Sequence, residues 1–164
     1  MKKVYQQLID NNKGDCMQAA VASLFDLELD EVPKFIELNE PFHHFMQFAL
    51  DSGYEIKGTL YNYSHVNGGK YSSIHRLQTK GYNGIKGYFF ASVFSPKYYD
   101  YSKSINEYQV THAVLIDKDY NIVFDPNPNN NGLITYPMSD IMGYNGIKDI
   151  TVIEEKKLNN EKNT

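Results

Sequence analysis

KGDCMQAAVASLF, residues 13–25, decides how the rest of the chain is read. It holds Cys16, the only cysteine among 164 residues. Ala19 and Ala20 are strong helix formers, Ala20, Val21 and Leu24 share one helical face, and Asp15 stands where an N-cap belongs. The stretch predicts a helix from Cys16 to Phe25. A thiol is a poor nucleophile at its ordinary pKa of about 8.5, and the reactive form is the thiolate. The start of a helix lowers that pKa, because the helix dipole and the free N–H groups of the first turn face the sulfur. The same N–H groups can help hold an oxyanion. Without a partner, such a cysteine reads as a small buried hydrophobe.

The partner that would activate it is an imidazolium. Five histidines are available: His43, His44, His65, His75 and His112. His43 and His44 fall in an amphipathic stretch, PFHHFMQFALDSG, and adjacent helical residues cannot both face one site. No carboxylate or thiol stands near them at ligand spacing, so they do not read as a metal site. His65 and His75 lie in Gly-, Ser- and Tyr-rich sequence that reads as loop. His112 opens an apolar strand, THAVLID (111–117), which is followed by KDY and NIVFD (121–125), a hairpin pattern. If the turn centres on residues 118–120, Asp125 returns near the level of His112, where a carboxylate can fix the tautomer and stabilise the imidazolium. Asn127 is the second choice for that task. Gln6 and Gln7, upstream of Cys16, carry amides that can complete an oxyanion hole.

The frame around these residues reads as α+β. LELDEVPKFIE predicts a second short helix capped by Asp30 with Pro33 in its first turn, and Pro41 opens a third that Gly53 ends. A short extended segment is expected near Val4–Gln7. YEIKGTLYNY, GYFFASVFS (87–95) and ITVIEE (150–155) read as strands beside the hairpin, so helices come first and antiparallel strands second. GYNGIK occurs twice, at 81–86 and 143–148, each copy a tight-turn signal before a strand, with no function assigned to it. KYYDYSKS (97–104) reads as a polar surface loop. One domain is expected over 1–155, with a flexible polar tail over 156–164.

Composition narrows the function classes. A hydrophobic fraction of 41% fits an ordinary globular protein. One cysteine permits no internal disulfide and no cysteine-rich zinc site, and points to a reducing compartment. MKKVYQQLID lacks the apolar run of a signal peptide, and no stretch approaches the roughly 18 apolar residues of a membrane span. A cytoplasmic protein is expected, with no membrane partner. A net charge of −4 argues against a dedicated nucleic-acid binder. Abundant Asn, Lys and Tyr match an AT-rich bacterial or viral genome.

The ordered set of an upstream Gln, GDC-x-x-A-x-x-A-S-L with L-x-x-V-P after it, and HAVLID…FDP resembles the papain-like cysteine peptidase superfamily, closest to small phage and bacterial papain-like or C39-like proteins. The likeness covers roughly residues 4–36 and 111–128. It implies a helical half bearing the cysteine packed on an antiparallel sheet bearing the histidine. It implies Cys16 as nucleophile, His112 as base, Asp125 as orienting acid and a glutamine as oxyanion donor, with Gln6 preferred to Gln7 for its spacing after Val4. The function so implied is a cysteine-nucleophile hydrolase or acyl transferase (peptidase, isopeptidase or amidase type), with a peptide or protein substrate, no cofactor and no metal. A phage-encoded member would act on a host protein in the host cytoplasm. The alternative is an inactive papain-like scaffold that binds a host protein or a small ligand. Substrate identity and oligomeric state are left open.

Overall fold

A computed structural model describes residues 1–9, 14–62, 72–95, 99–103, 107, 109–130 and 143–157. Its elements are α1 (Cys16–Phe25), α2 (Pro41–Asp51), β1 (Tyr54–Tyr61), α3 (Arg76–Thr79), β2 (Phe89–Phe94), β3 (Thr111–Ile116), β4 (Ile122–Phe124) and β5 (Ile147–Glu155). The five strands form one antiparallel sheet in the order β1-β5-β2-β3-β4. The fold is therefore helix and antiparallel sheet, α+β, as expected.

The sheet is packed on both faces, and strand alternation sorts the residues between them. Phe90, Ala113 and Leu115 face one cluster together with Ala20, Val21, Leu24, Phe35 and Phe45. Phe89, Ala91, Val93, Val114 and Ile116 face the other, with Ile74, Leu77 and Tyr120. Burial on both sides explains why GYFFASVFS and THAVLID read as nearly unbroken apolar runs. α1 lies in the first cluster and is buried almost all round, which its small residues permit: Ala19, Ala20, Ala22 and Ser23 let neighbouring backbone approach. Ser23 uses that closeness: its hydroxyl donates to Ala19 O at 2.9 Å and accepts from Val4 N at 2.9 Å. α2 adds Phe45, fully buried between Phe35 and Phe90 at ring separations of 5.4 and 5.6 Å. Burying such a ring contributes about 1.5–3 kcal/mol.

Several expectations change. LELDEVPKFIE forms two 3₁₀ turns, Leu29–Glu31 and Phe35–Glu37, instead of one helix. Pro33 sits between them, and Val32 before it is extended (φ −105°, ψ 130°), the conformation a following proline imposes. Asp30 is not the cap; Glu28 N donates to the Glu31 carboxylate at 2.7 Å. The Val4–Gln7 segment pairs with no strand; it is held by Ser23 and by Gln6 N donating to Pro126 O at 3.0 Å. The last strand starts at Ile147, three residues before the apolar run begins, because pairing with β1 and β2 carries Lys148 and Asp149 into the sheet. A short helix, α3, was not expected. Residues 158–164 of the expected tail, and 97, 98 and 104 of the Tyr-rich loop, lie outside the described residues.

The two GYNGIK copies are both turns. The first leads through an Ile85–Tyr88 bridge into β2, and the second forms a 3₁₀ turn that opens into β5. Their glycines are not equivalent in cost. Gly81 (φ +69°) has open space where a Cβ would stand, whereas at Gly84 (φ +63°) that Cβ would lie 2.4 Å from Tyr88 O and 2.9 Å from the Phe89 ring. Gly81→Ala is expected to cost about 1–2 kcal/mol, the strain of a left-handed residue. Gly84→Ala adds a backbone clash, so its loss of unfolding free energy in urea is expected to exceed that of Gly81→Ala clearly. Equal losses would overturn the assignment of that close approach.

Candidate functional site

α1 begins at Cys16, so the sulfur stands at the positive end of a ten-residue helix. The side chain of His112 and the backbone N–H groups of Ala113 and Met17 are near enough to the sulfur to favour its charged form. The Ala113 contact places the thiol against β3, next to the strand residue that carries the imidazole. Across the hairpin, Asp117 shapes the turn by accepting from Asp119 N and Asn121 N, each at 2.9 Å. The chain then returns along β4 and leaves at Asp125–Pro126. His112 Nε2 and Asp125 Oδ1 are 2.6 Å apart, the length of a charge-assisted bond. With Nε2 on the carboxylate, Nδ1 is the nitrogen left for the thiol. The side chain of Asp125 is 2% exposed and that of His112 13%, so the pair is shielded from water.

Burial opposes charge on both partners, and their contacts overcome it. Desolvation pushes the Cys16 thiol up, but the neighbouring His112 side chain and its charge, with the Ala113 and Met17 N–H groups, bring it below its ordinary value. Desolvation likewise pulls His112 down, and the bonds and charges of Asp125 and Cys16 raise it from 6.5 to about 9. Both shifts run toward a thiolate beside an imidazolium.

The other expected residues are placed as follows. Asn127 does not orient His112: its N–H donates to Asp125 Oδ1 at 2.9 Å, and its side-chain oxygen accepts from Asn129 N at 2.9 Å. Gln6 is buried near the same end of α1, with Nε2 donating to Leu8 O at 3.0 Å and Oε1 unbonded. Gln7 is exposed, and its backbone N–H donates to the Asp15 carboxylate. His43 and His44 are exposed on α2, and His75 is exposed before α3. His65 lies outside the described residues. Among the described residues no cluster of three metal-ligating side chains occurs.

Asp15 departs from its expected part. It occupies the cap position of α1 but makes no side-chain bond to the helix. Its carboxylate accepts instead from Gln7 N and Leu8 N, each at 3.0 Å.

Cys16 opens into a cleft of about 420 Å³, a volume within the usual range of ligand sites. One wall is apolar: Met17, Ile36, Pro41, Phe42 and Phe45. The floor is the sheet, and register explains its composition. Tyr61, Asp149, Ser92 and Ala113 are neighbours across four strands, and Thr59, Thr151 and Phe90 form the next row. His112 is not part of the lining; it meets the cleft through the sulfur. The residues of the wall and floor were not foreseen, because each row of the floor collects residues from strands far apart in sequence.

Compared with family models, curated proteins and solved structures, the chain matches none.

Iodoacetamide is expected to alkylate wild-type Cys16 with an apparent pKa below that of a free thiol, and His112→Ala to raise it; an ordinary pKa indifferent to His112 would sink the ion pair. The two shifts also set a stability profile. The contribution of His112 is full below pH 6.5 and lost as pH rises through about 9; that of Cys16 is full above pH 9.0 and lost as pH falls. Cys16→Ser leaves His112 with Asp125, and unfolding free energy is then expected to decline as pH rises above 6.5.

Proposed function

We propose that the chain is a cysteine-nucleophile hydrolase or acyl transferase on a papain-like framework, acting on an amide or thioester carbonyl of a peptide or protein. The observation that carries this reading is the buried His112–Asp125 pair beside the Cys16 sulfur, which stands at a helix start and opens into a cleft. A cysteine kept only for packing has no use for a buried carboxylate behind its imidazole neighbour. The arrangement of a helical layer bearing the cysteine on an antiparallel sheet bearing the histidine supports the same family.

In this mechanism the Cys16 thiolate attacks the substrate carbonyl carbon and a C–S bond forms. The carbonyl oxygen takes the negative charge, held by N–H groups at the start of α1 and by the Gln6 amide. The carbon–nitrogen or carbon–sulfur bond of the leaving group then breaks, and the His112 imidazolium gives its proton to that group. A water or amine next loses its proton to His112 and attacks the acyl-enzyme, which releases the thiolate. Asp125 keeps Nε2 protonated and the ring in position throughout. The apolar wall and polar floor of the cleft suit an extended peptide, with side chains against Ile36 and Phe42 and backbone toward the sheet.

The test is turnover of a mixed fluorogenic peptide-amide library, with mass spectrometry for an acyl adduct on Cys16. Cys16→Ala is expected to abolish both, and His112→Ala to lower kcat at least about 10³-fold. An intact ion pair that neither acylates nor turns over any peptide would favour a binding scaffold instead.

A further inference from the structure

We propose that Asp15 is a positioning residue for this reaction: its carboxylate ties the N-terminal segment to the start of α1 and so holds the Gln6 amide at the oxyanion site. The inference rests on the reading of Cys16 as an acyl-accepting nucleophile.

Asp15 is buried, 8% exposed, and immediately precedes the nucleophile. An aspartate at a helix cap normally turns back and takes the N–H groups of the first turn. Asp15 turns the other way. One oxygen accepts from Gln7 N and the other from Leu8 N, both at 3.0 Å. Two consequences follow. The Asp15 carboxylate does not cover the N–H groups of the first turn of α1, so it leaves them to other acceptors. The segment beside Gln6 is clamped at two successive residues.

The clamp is closed by the backbone. Leu8 O accepts from Asp15 N at 3.2 Å and from Gln6 Nε2 at 3.0 Å. These two nitrogens share one acceptor, so they lie no farther apart than those two distances laid end to end. The Gln6 amide is thereby placed at the start of α1. Its backbone N–H donates to Pro126 O, directly after Asp125, which fixes the segment from the hairpin side as well. An amide nitrogen carries two protons; Leu8 O takes one, and the second is the donor for the oxyanion. A carboxylate is suited to this clamp because it accepts through both oxygens, whereas an asparagine presents one acceptor and one donor to two N–H groups.

Two small reagents separate this positioning from the ion pair in the full-length chain. With p-nitrophenyl acetate, the thiolate forms a C–S bond at the ester carbonyl through an oxyanion, and p-nitrophenolate departs with the electron pair of the broken C–O bond. With iodoacetamide, sulfur displaces iodide at a saturated carbon and no oxyanion forms. Asp15→Asn and Gln6→Ala are each expected to slow Cys16 acylation on the order of 10²-fold. Both variants are expected to alkylate no slower than wild type, and the double variant to acylate no slower than the slower single one. If Asp15→Asn does not fold, Asp15→Ser, which keeps one acceptor, is expected to lose acylation alone by a smaller factor. Equal slowing with both reagents, wild-type acylation, or effects that multiply in the double variant would overturn the proposal. If wild-type Cys16 reacts with neither reagent faster than free cysteine, the functional reading itself fails and takes the inference with it.

Discussion

The contact between the Cys16 sulfur and the His112 ring organises this molecule, because it asks for a charge separation where water is scarce. Moving a proton from thiol to imidazole there is unfavourable unless both new charges are met. The thiolate is met by the Ala113 and Met17 N–H groups and by the start of α1. The imidazolium is met by Asp125, itself nearly inaccessible to solvent. Removing any one partner leaves a buried charge uncompensated, so these groups form one unit and not a sum of separate bonds.

The packing follows from that unit. α1 must lie close to β3, and the run of Ala19, Ala20, Ala22 and Ser23 allows it, where larger side chains would hold the helix away. The hairpin must return Asp125 to His112, and the Asp117 turn with the apolar pairing of Leu115 and Phe124 sets that return. The same closeness of helix and sheet leaves a trough beyond the helix start, where the 3₁₀ turns and α2 bridge toward β1. Site and cleft are thus products of one packing decision, the depth at which α1 sits.

What could be read in the sequence was what depends on neighbours along the chain. The helix 16–25 and the hairpin 111–125 rest on periodicity and turn chemistry within about fifteen residues. The approach of His112 to Asp125 was legible for that reason. The destination of the Asp15 carboxylate was not: Asp15 fits the composition of an N-cap, and its actual donors, Gln7 N and Leu8 N, come earlier in the chain, on the side away from the helix. LELDEVPKFIE was misread because Pro33 divides it and the 3₁₀ turns stand on tertiary contacts of Phe35, not on helical propensity. The early start of β5 was hidden because Lys148 and Asp149 break an apolar pattern that sheet register overrides.

The strand order also bears on when the molecule can exist. β5, the last strand along the chain, sits between β1 and β2 in the middle of the sheet. Until it inserts, β1 has no neighbour, and one side of β2 stays open. Nearly a hundred residues separate the paired ends of β1 and β5, so this closure belongs to the slow, non-local class of folding events. On the ribosome, the cysteine helix and its hairpin are synthesised well before the floor of the cleft can form. A nascent chain therefore carries Cys16, His112 and Asp125 before the floor of the cleft can be completed, and the finished cleft waits for β5.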